Sequence, residues 1–270
     1  MTAIGSIGFV GGGNMAEALI KGLLAQGHPQ REILVADPSP ARQALLRDSY
    51  RVEVATGNRE VAERCRLLVL AVKPQLVQAA VGEFAGAVTA GHLLVSILAG
   101  TATATLEGLL GGTARVVRAM PNTPALVGCG ATAICPGRFA AGGDLDAAAA
   151  LFRAVGSVNV VSEAQMDAVT GLSGSGPAYI FTVIEALADG GVKEGLPRDV
   201  ALALATRTVL GAAKLVAESG EHPAVLRDKV CSPGGTTIAG LTALEDGGVR
   251  AALIEAVSRA TRRSKELGGS

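Results

Sequence analysis

Short apolar runs at 4–10, 33–36, 67–72 and 93–98, each almost free of polar residues, alternate with stretches of helical spacing in the first part of the chain. Such runs predict strands buried on both faces, the mark of a parallel sheet covered by helices on each side. A short strand at 52–54 and further strands at 115–119, 131–135 and 157–161 continue the series, with helices expected over 41–47, 59–64 and 145–154. Beyond Val161 only helical spacing remains, over 164–170, 177–190, 198–219 and 223–230, then in two more helices across 235–267. In the helix over 198–219, Leu202, Leu204, Val209, Leu210, Ala213, Leu215 and Val216 wrap around most of the circumference, so it needs more than one neighbour. A helical part built this way predicts burial against a second subunit in an obligate dimer, with active sites near the subunit boundary. The expected division is a sheet domain over 1–161 and an all-α dimerisation and substrate-binding domain over 162–270.

The turn after the first strand carries the first chemistry. Gly11-Gly12-Gly13-Asn14-Met15-Ala16 leads into Ala18, Leu19, Ile20, Leu23 and Leu24 at helical spacing, which reads as strand, glycine turn, helix. Gly11-x-Gly13-x-x-Ala16 fits the dinucleotide fingerprint: a tight turn at Gly11, close pyrophosphate approach at Gly13, and helix-on-strand packing at Ala16, with Asn14 and Met15 in the first helical turn. The fold class that follows is α/β, an N-terminal Rossmann-like doubly wound sheet with a C-terminal all-α dimerisation domain. The second strand closes with Asp37, at the place where a carboxylate accepts hydrogen bonds from the adenine ribose hydroxyls and repels a 2′-phosphate. Ser39 and Arg42 lie just beyond it and suit that phosphate, provided Asp37 turns aside to cap the helix that starts near Pro40. The choice between NADPH and NADH stays open on these residues.

In a doubly wound sheet, ligands lie outside the carboxyl ends of the strands. There the chain places Ala71-Val72-Lys73-Pro74, Ala99-Gly100-Thr101 and Met120-Pro121-Asn122-Thr123-Pro124. Small residues let a nicotinamide ring lie flat, Lys73 can reach a ribose or phosphate oxygen, and Asn122 can hold an amide. Each segment also reads as an ordinary turn containing Pro or Gly. Asn58, ahead of the helix over 59–64, joins the cofactor-binding candidates. Farther on, Gly171-Leu172-Ser173-Gly174-Ser175-Gly176-Pro177 opens a long helix, with Ser175 as its expected cap and Pro177 in its first turn. The β-hydroxyacid dehydrogenases share this architecture but carry a catalytic lysine and an asparagine where this chain has Ile180 and Ile184, which disfavours alcohol oxidation.

The run Cys231-Ser232-Pro233-Gly234-Gly235-Thr236-Thr237, directly before an apolar helical segment, reads either as an N-capped turn or as an anion-gripping loop. In the second reading glycines bring the backbone close, the helix start offers free N–H groups, and Ser232, Thr236 and Thr237 add hydroxyls.

Composition narrows the partners. Acidic and basic residues balance at 24 each, and there is no tryptophan, so neither a basic field nor a stacking platform for nucleic acid is present. Apolar runs are expected to be broken before membrane-spanning length, and Met1 to Ser6 shows no basic leader, which predicts a soluble cytoplasmic protein that acts on a small molecule. Four cysteines without a C-x-x-C pair and three histidines, His28, His92 and His222, argue against a zinc site.

Taken in order, Gly8 to Ala16, Ala71 to Gln75, Arg118 to Pro124, Gly171 to Tyr179, Ala188-Asp189-Gly190-Gly191-Val192 and Ser232 to Thr237 closely resemble the pyrroline-5-carboxylate reductases over the whole chain. The resemblance implies NAD(P)H-dependent reduction of 1-pyrroline-5-carboxylate to L-proline, the last step of proline biosynthesis, with a family tendency towards NADPH and NADH as the alternative. It further implies domain-swapped dimers that often assemble into decamers. It also maps carboxylate binding onto Ser232, Gly235 and Thr236, and the hydroxyl nearest the imine nitrogen onto Thr237. A reductase of another small cyclic imine or keto acid, or a non-catalytic dinucleotide-binding protein, are the competing readings.

Overall fold

The computed structural model describes residues 5–268; Ile4 of the expected first strand lies outside them. Eight strands form one sheet: β1 (Ile7–Val10), β2 (Ile33–Ala36), β3 (Glu53–Val54), β4 (Leu67–Leu70), β5 (Leu93–Ser96), β6 (Arg115–Met120), β7 (Gly130–Pro136) and β8 (Gly156–Val160), in the order β3-β2-β1-β4-β5-β6-β7-β8. The first six are parallel, as the buried apolar runs of β1, β2, β4 and β5 predict. However, β7 runs antiparallel to β6, with Arg118 opposite Cys135, and β8 follows β7 in parallel. The connection from β6 to β7 explains the reversal: a single 3-10 turn, Thr123–Val127, closed by Gly128 at φ 76°, is too short for a crossover helix.

The helices on the sheet are α1 (Asn14–Ala25), α2 (Pro40–Tyr50), α3 (Asn58–Arg64), α4 (Val77–Phe84), α5 (Thr103–Leu109) and α6 (Gly142–Arg153). Two apolar layers sandwich the strands. Phe9, Leu19, Ile20 and Phe152 belong to one, and Val10, Leu68, Leu70 and Phe84 to the other, all fully buried. This two-sided burial is why the strands lack an alternating polar face.

Register sets the site. Val10 pairs with both Ala36 and Leu70, so β2, β1 and β4 end level. Backbone bonds carry that alignment one residue further, Gly11 N to Ala36 O at 2.8 Å and Ala71 N to Val10 O at 2.8 Å. Gly11, Asp37 and Ala71 therefore stand side by side along the carboxyl edge.

The chain forms two compact units. The first comprises residues 5–175 and 259–268, and the second 176–258. The boundary expected at 161 falls inside the first unit. Two packed features hold the intervening residues there: Met166, of α7 (Met166–Val169), is buried with Ala133 and Cys135, and Asp167 Oδ1 accepts from the Ser264 hydroxyl at 2.7 Å. Ser175 is not the cap of a new helix as expected. Residues Thr170–Gly174 form a π-helical turn that continues α7, and Ser175 N donates to Thr170 O at 2.9 Å. Close packing accompanies this turn, since a Cβ at Gly174 would lie 2.7 Å from Met120 Cε.

The second unit holds α8 (Gly176–Lys193), α9 (Arg198–Ser219), α10 (Pro223–Lys229), α11 (Thr236–Asp246) and the first part of α12 (Val249–Gly268). Pro177 sits in the first turn of α8, where a missing N–H costs nothing. Ala188, Ala201 and Ala205 form the small buried seam between α8 and α9. Most of the apolar surface of α9 stays open, with Leu202, Leu204, Leu210 and Leu215 all exposed. By length and composition α9 is apolar enough to cross a membrane, with mean hydropathy 1.6, but Arg207, Gly211 and Lys214 interrupt its apolar run, as expected from the sequence.

Candidate active site

The glycine turn is built to carry a dinucleotide. Gly11 has φ 98°, and a Cβ there would lie 2.6 Å from Ala71 O, so both conformation and neighbour exclude a side chain. At Gly13 a Cβ would meet nothing within 4 Å, leaving open space in front of the turn. Gly13 is the N-cap of α1 and supplies no side-chain cap, so the first N–H groups, from Asn14 and Met15 onward, lack intrahelical partners. An uncapped helix start faced by open space is of the kind that suits a phosphate group.

Beside it lies a cavity of ≈ 500 Å³ lined by Gly11, Asp37, Asn58, Val72 and, unforeseen from sequence, by Gln43, Thr56, Leu76, Ala79, Ala80 and Glu83. Val72, Leu76, Ala79 and Ala80 supply an apolar wall suited to an adenine ring. Asn58 Nδ2 donates to Glu83 Oε2 at 2.8 Å, which anchors the polar rim. Thr56 and Glu83 lie just past β3 and at the end of α4, and their only sequence signal was their place at those ends.

The structure resolves the orientation of Asp37. Its Oδ2 accepts from Gly12 N at 2.7 Å and its Oδ1 from Ser39 N at 2.8 Å, so it braces the glycine turn and the entry to α2. Ser39, not Asp37, is the N-cap of α2 and accepts from Arg42 N at 3.4 Å. Arg42 turns onto α1: Nε donates to Gly12 O at 2.8 Å and Nη2 to Glu17 Oε2 at 2.7 Å. Tyr50 donates to the other oxygen of Glu17, at 2.8 Å. Burial alone would raise Glu17, but the hydrogen bonds from Arg42 and Tyr50 and the charge of Arg42 outweigh it and hold the carboxyl below its ordinary range. Glu17 was not foreseen either, because its partner is 25 residues away in sequence.

The remaining carboxyl-edge candidates divide. Ala71 is half-buried at the turn, whereas Lys73 and Pro74 are exposed just after it, where Lys73 precedes a 3-10 turn over Pro74–Leu76. Ala99 is exposed, and Gly100, at φ 72°, has the backbone of Gly268 at the end of α12 within van der Waals range of an added Cβ. Glu163 fixes the start of α5 beyond that loop, accepting from Thr103 N and Thr103 Oγ1 at 2.7 Å each. Asn122 is buried and bonded within the protein at both ends of its amide: Nδ2 donates to Ser173 O at 3.0 Å and Oδ1 accepts from Ala131 N at 2.9 Å. It ties the π turn to the entry of β7. His92 is likewise structural, with Nδ1 accepting from Thr89 N and Nε2 facing Ala62 O at 2.9 Å.

In the second unit, Ser232, Gly235, Thr236 and Thr237 form one cradle. Gly235 N donates to Ser232 O at 3.0 Å in a tight turn that needs Gly234 at φ 67°. Gly235 is the N-cap of α11 and gives no side-chain cap, so the N–H groups of the first turn, which begins with Thr236 and Thr237, are open. The Ser232 hydroxyl lies against the Gly235 Cα, where a Cβ would sit. With no side-chain cap on this helix start, the N-capped turn is not what the structure shows, and the open N–H groups beside the Ser232 hydroxyl are of the kind that suit an anion.

A doubly wound sheet with this glycine turn and the cavity beside it defines the class of dinucleotide-dependent oxidoreductases. Residues 163–267 match the family described as pyrroline-5-carboxylate reductase dimerisation, and residues 6–100 the one described as NADP oxidoreductase, coenzyme F420-dependent. The pyrroline-5-carboxylate reductase of Synechocystis is 50% identical, over 97% of this chain and 98% of its own, and that of Arabidopsis thaliana 47% identical, over 98% and 96%. The solved structure of the reductase from Coxiella burnetii superposes with a TM-score of 0.93 at 38% identity, covering 98% of each chain. That of the Plasmodium falciparum enzyme, with NADP bound, gives 0.88 at 31% identity, covering 99% of this chain and 100% of its own. The chain belongs to the pyrroline-5-carboxylate reductase family.

Proposed function

We propose that this chain reduces 1-pyrroline-5-carboxylate to L-proline with NADPH as the preferred donor, closing proline biosynthesis. The observation that carries the reading is the uncapped start of α11 with the Ser232 hydroxyl over it, in a chain that belongs to this family throughout its length. The substrate is a small carboxylate next to a C=N bond, and the cradle is an anion site of that size. Gly11, Gly13, Asn14 and Met15 face the pyrophosphate; Asp37, Asn58 and Val72 line the adenosine cavity, with Ser39 and Arg42 just outside it; Ala71, Lys73, Pro74, Ala99 and Gly100 follow strand ends on the nicotinamide side, and Asn122 braces that edge through Ser173 and Ala131. When bound, the dinucleotide supplies a hydride.

The protein's own part is modest. Backbone N–H groups of α11 and the Ser232 hydroxyl fix the substrate carboxylate, and with it the orientation of the ring. Thr237, or water, would supply the proton that the ring nitrogen carries when the C=N bond is reduced. A protonated imine is already electrophilic, so no strong general base is required.

The exposed apolar face of α9, within the region matched to the dimerisation family, supports a homodimer, and further assembly into a decamer is carried only by the resemblance to the family. We assign the first domain to cofactor binding and the helical one to pairing and substrate binding, in a cytoplasmic enzyme. The test is to mix the protein with 1-pyrroline-5-carboxylate and follow the 340 nm absorbance of NADPH and NADH separately. Rapid oxidation of NADPH is expected. Cofactor binding without oxidation of either would overturn the assignment.

A further inference from the structure

Arg42 occupies the third position of α2, where an arginine in a dinucleotide fold takes the 2′-phosphate of NADP. Its side chain is instead drawn onto α1. Nε and Nη2 are bonded to Gly12 O and Glu17 Oε2, while its sequence neighbour Gln43 lines the adenosine cavity and Arg42 does not. Both members of the pair are about a quarter exposed, at 25% and 23%, so the ion pair is partly shielded from water. The Glu17 carboxylate is itself fixed by Tyr50. We infer that Glu17 sets cofactor selectivity by competing with the 2′-phosphate for the guanidinium of Arg42. NADP must draw Arg42 away from Glu17, or make do with its remaining N–H groups, whereas NAD has no phosphate and makes no such demand. Glu17 is thus a positioning residue: it acts through Arg42 and moderates a preference that the arginine alone would make stronger. The inference rests on the dinucleotide reading of this site.

Calorimetric titration with NADP⁺ and NAD⁺ tests it without any turnover. In Glu17→Gln, which keeps the shape and removes the charge, the ratio of NAD⁺ to NADP⁺ dissociation constants should rise about tenfold. Glu17→Ala, which deletes the acceptor in a good helix former, should shift it the same way and serves if the glutamine variant is unstable. In an Arg42→Ala background, Glu17→Gln should leave the ratio where it was, an outcome that a merely structural role would not produce. An unchanged ratio in the single variants, a weaker grip on NADP⁺, or the same shift without Arg42 would each overturn the role of Glu17. If the wild-type protein bound neither dinucleotide, the reading of the site would fail first, and this inference with it.

Discussion

Gly235→Ala should weaken substrate binding while leaving the fold nearly intact. Gly235 has φ −79° and ψ 176°, a conformation that alanine adopts freely, so the backbone offers no resistance. The added methyl would fall on Ser232 Oγ and lie 3.2 Å from Ser232 O. Ser232 is exposed, so its hydroxyl can swing to another staggered position instead of forcing the turn apart. Staggered positions are all low-energy wells, so repositioning costs little, and the less flexible unfolded chain returns about 0.4–1 kcal/mol, so stability should change by less than about 1 kcal/mol. The loss falls on the ligand: a hydrogen bond to a charged carboxylate is worth about 1.5–3 kcal/mol, and kcat/KM for 1-pyrroline-5-carboxylate should drop about 10- to 150-fold. Initial rates at saturating NADPH measure this, with urea denaturation and cofactor titration alongside. Ser232→Ala should produce a similar fall, and adding Gly235→Ala to it should cost little more, because the hydroxyl it displaces is already gone. A wild-type KM in Gly235→Ala, or two losses that simply add, would refute the reasoning.

Thr237→Ala should lower kcat/KM with unchanged cofactor affinity, and full turnover in that variant would remove Thr237 from the proton path. Asp37→Ser removes a carboxylate from the ribose corner and should raise the NADPH to NADH ratio of kcat/KM; a constant ratio would mean that the role of Asp37 is confined to bracing Gly12 N and Ser39 N. The cysteines should separate by pH. Burial, reinforced by Glu163 and opposed by Arg118, pushes the Cys135 thiol up to about 11, and burial raises Cys65 too. Thiolate forms only as pH passes the raised value, so at pH 8 a disulfide reagent should label exposed Cys129 first and reach Cys65 and Cys135 only after unfolding. Labelling of Cys135 in the native protein would contradict its burial.

Strands buried on both faces announce themselves as apolar runs, which makes β2 legible to the residue, and helical spacing does the same for the helix over 198–219. Direction is another matter. The pattern of β7 is the same whichever way it runs, and the deciding fact is the shortness of the 123–127 connection. The π turn escaped because its five-residue spacing alters hydrogen bonds, not the order of polar and apolar residues, so Ser173-Gly174-Ser175-Gly176 looked like a loop with a cap. Gly11 and the Ser232 to Thr237 cradle were legible because local backbone geometry makes each. Asn122 and Arg42 were not, because a polar side chain beside a ligand and one bound to Ser173 O or Glu17 leave the same letter in the sequence.

The bare leucines of α9 bear on how the protein should be handled. If chains pair over that face, as proposed, folding becomes a second-order event, and the melting temperature rises with the logarithm of protein concentration. Dilution in an assay cuvette then works as a mild denaturant. Activity that decays on standing at nanomolar concentration, and recovers on concentrating, would report subunit dissociation and not chemical damage.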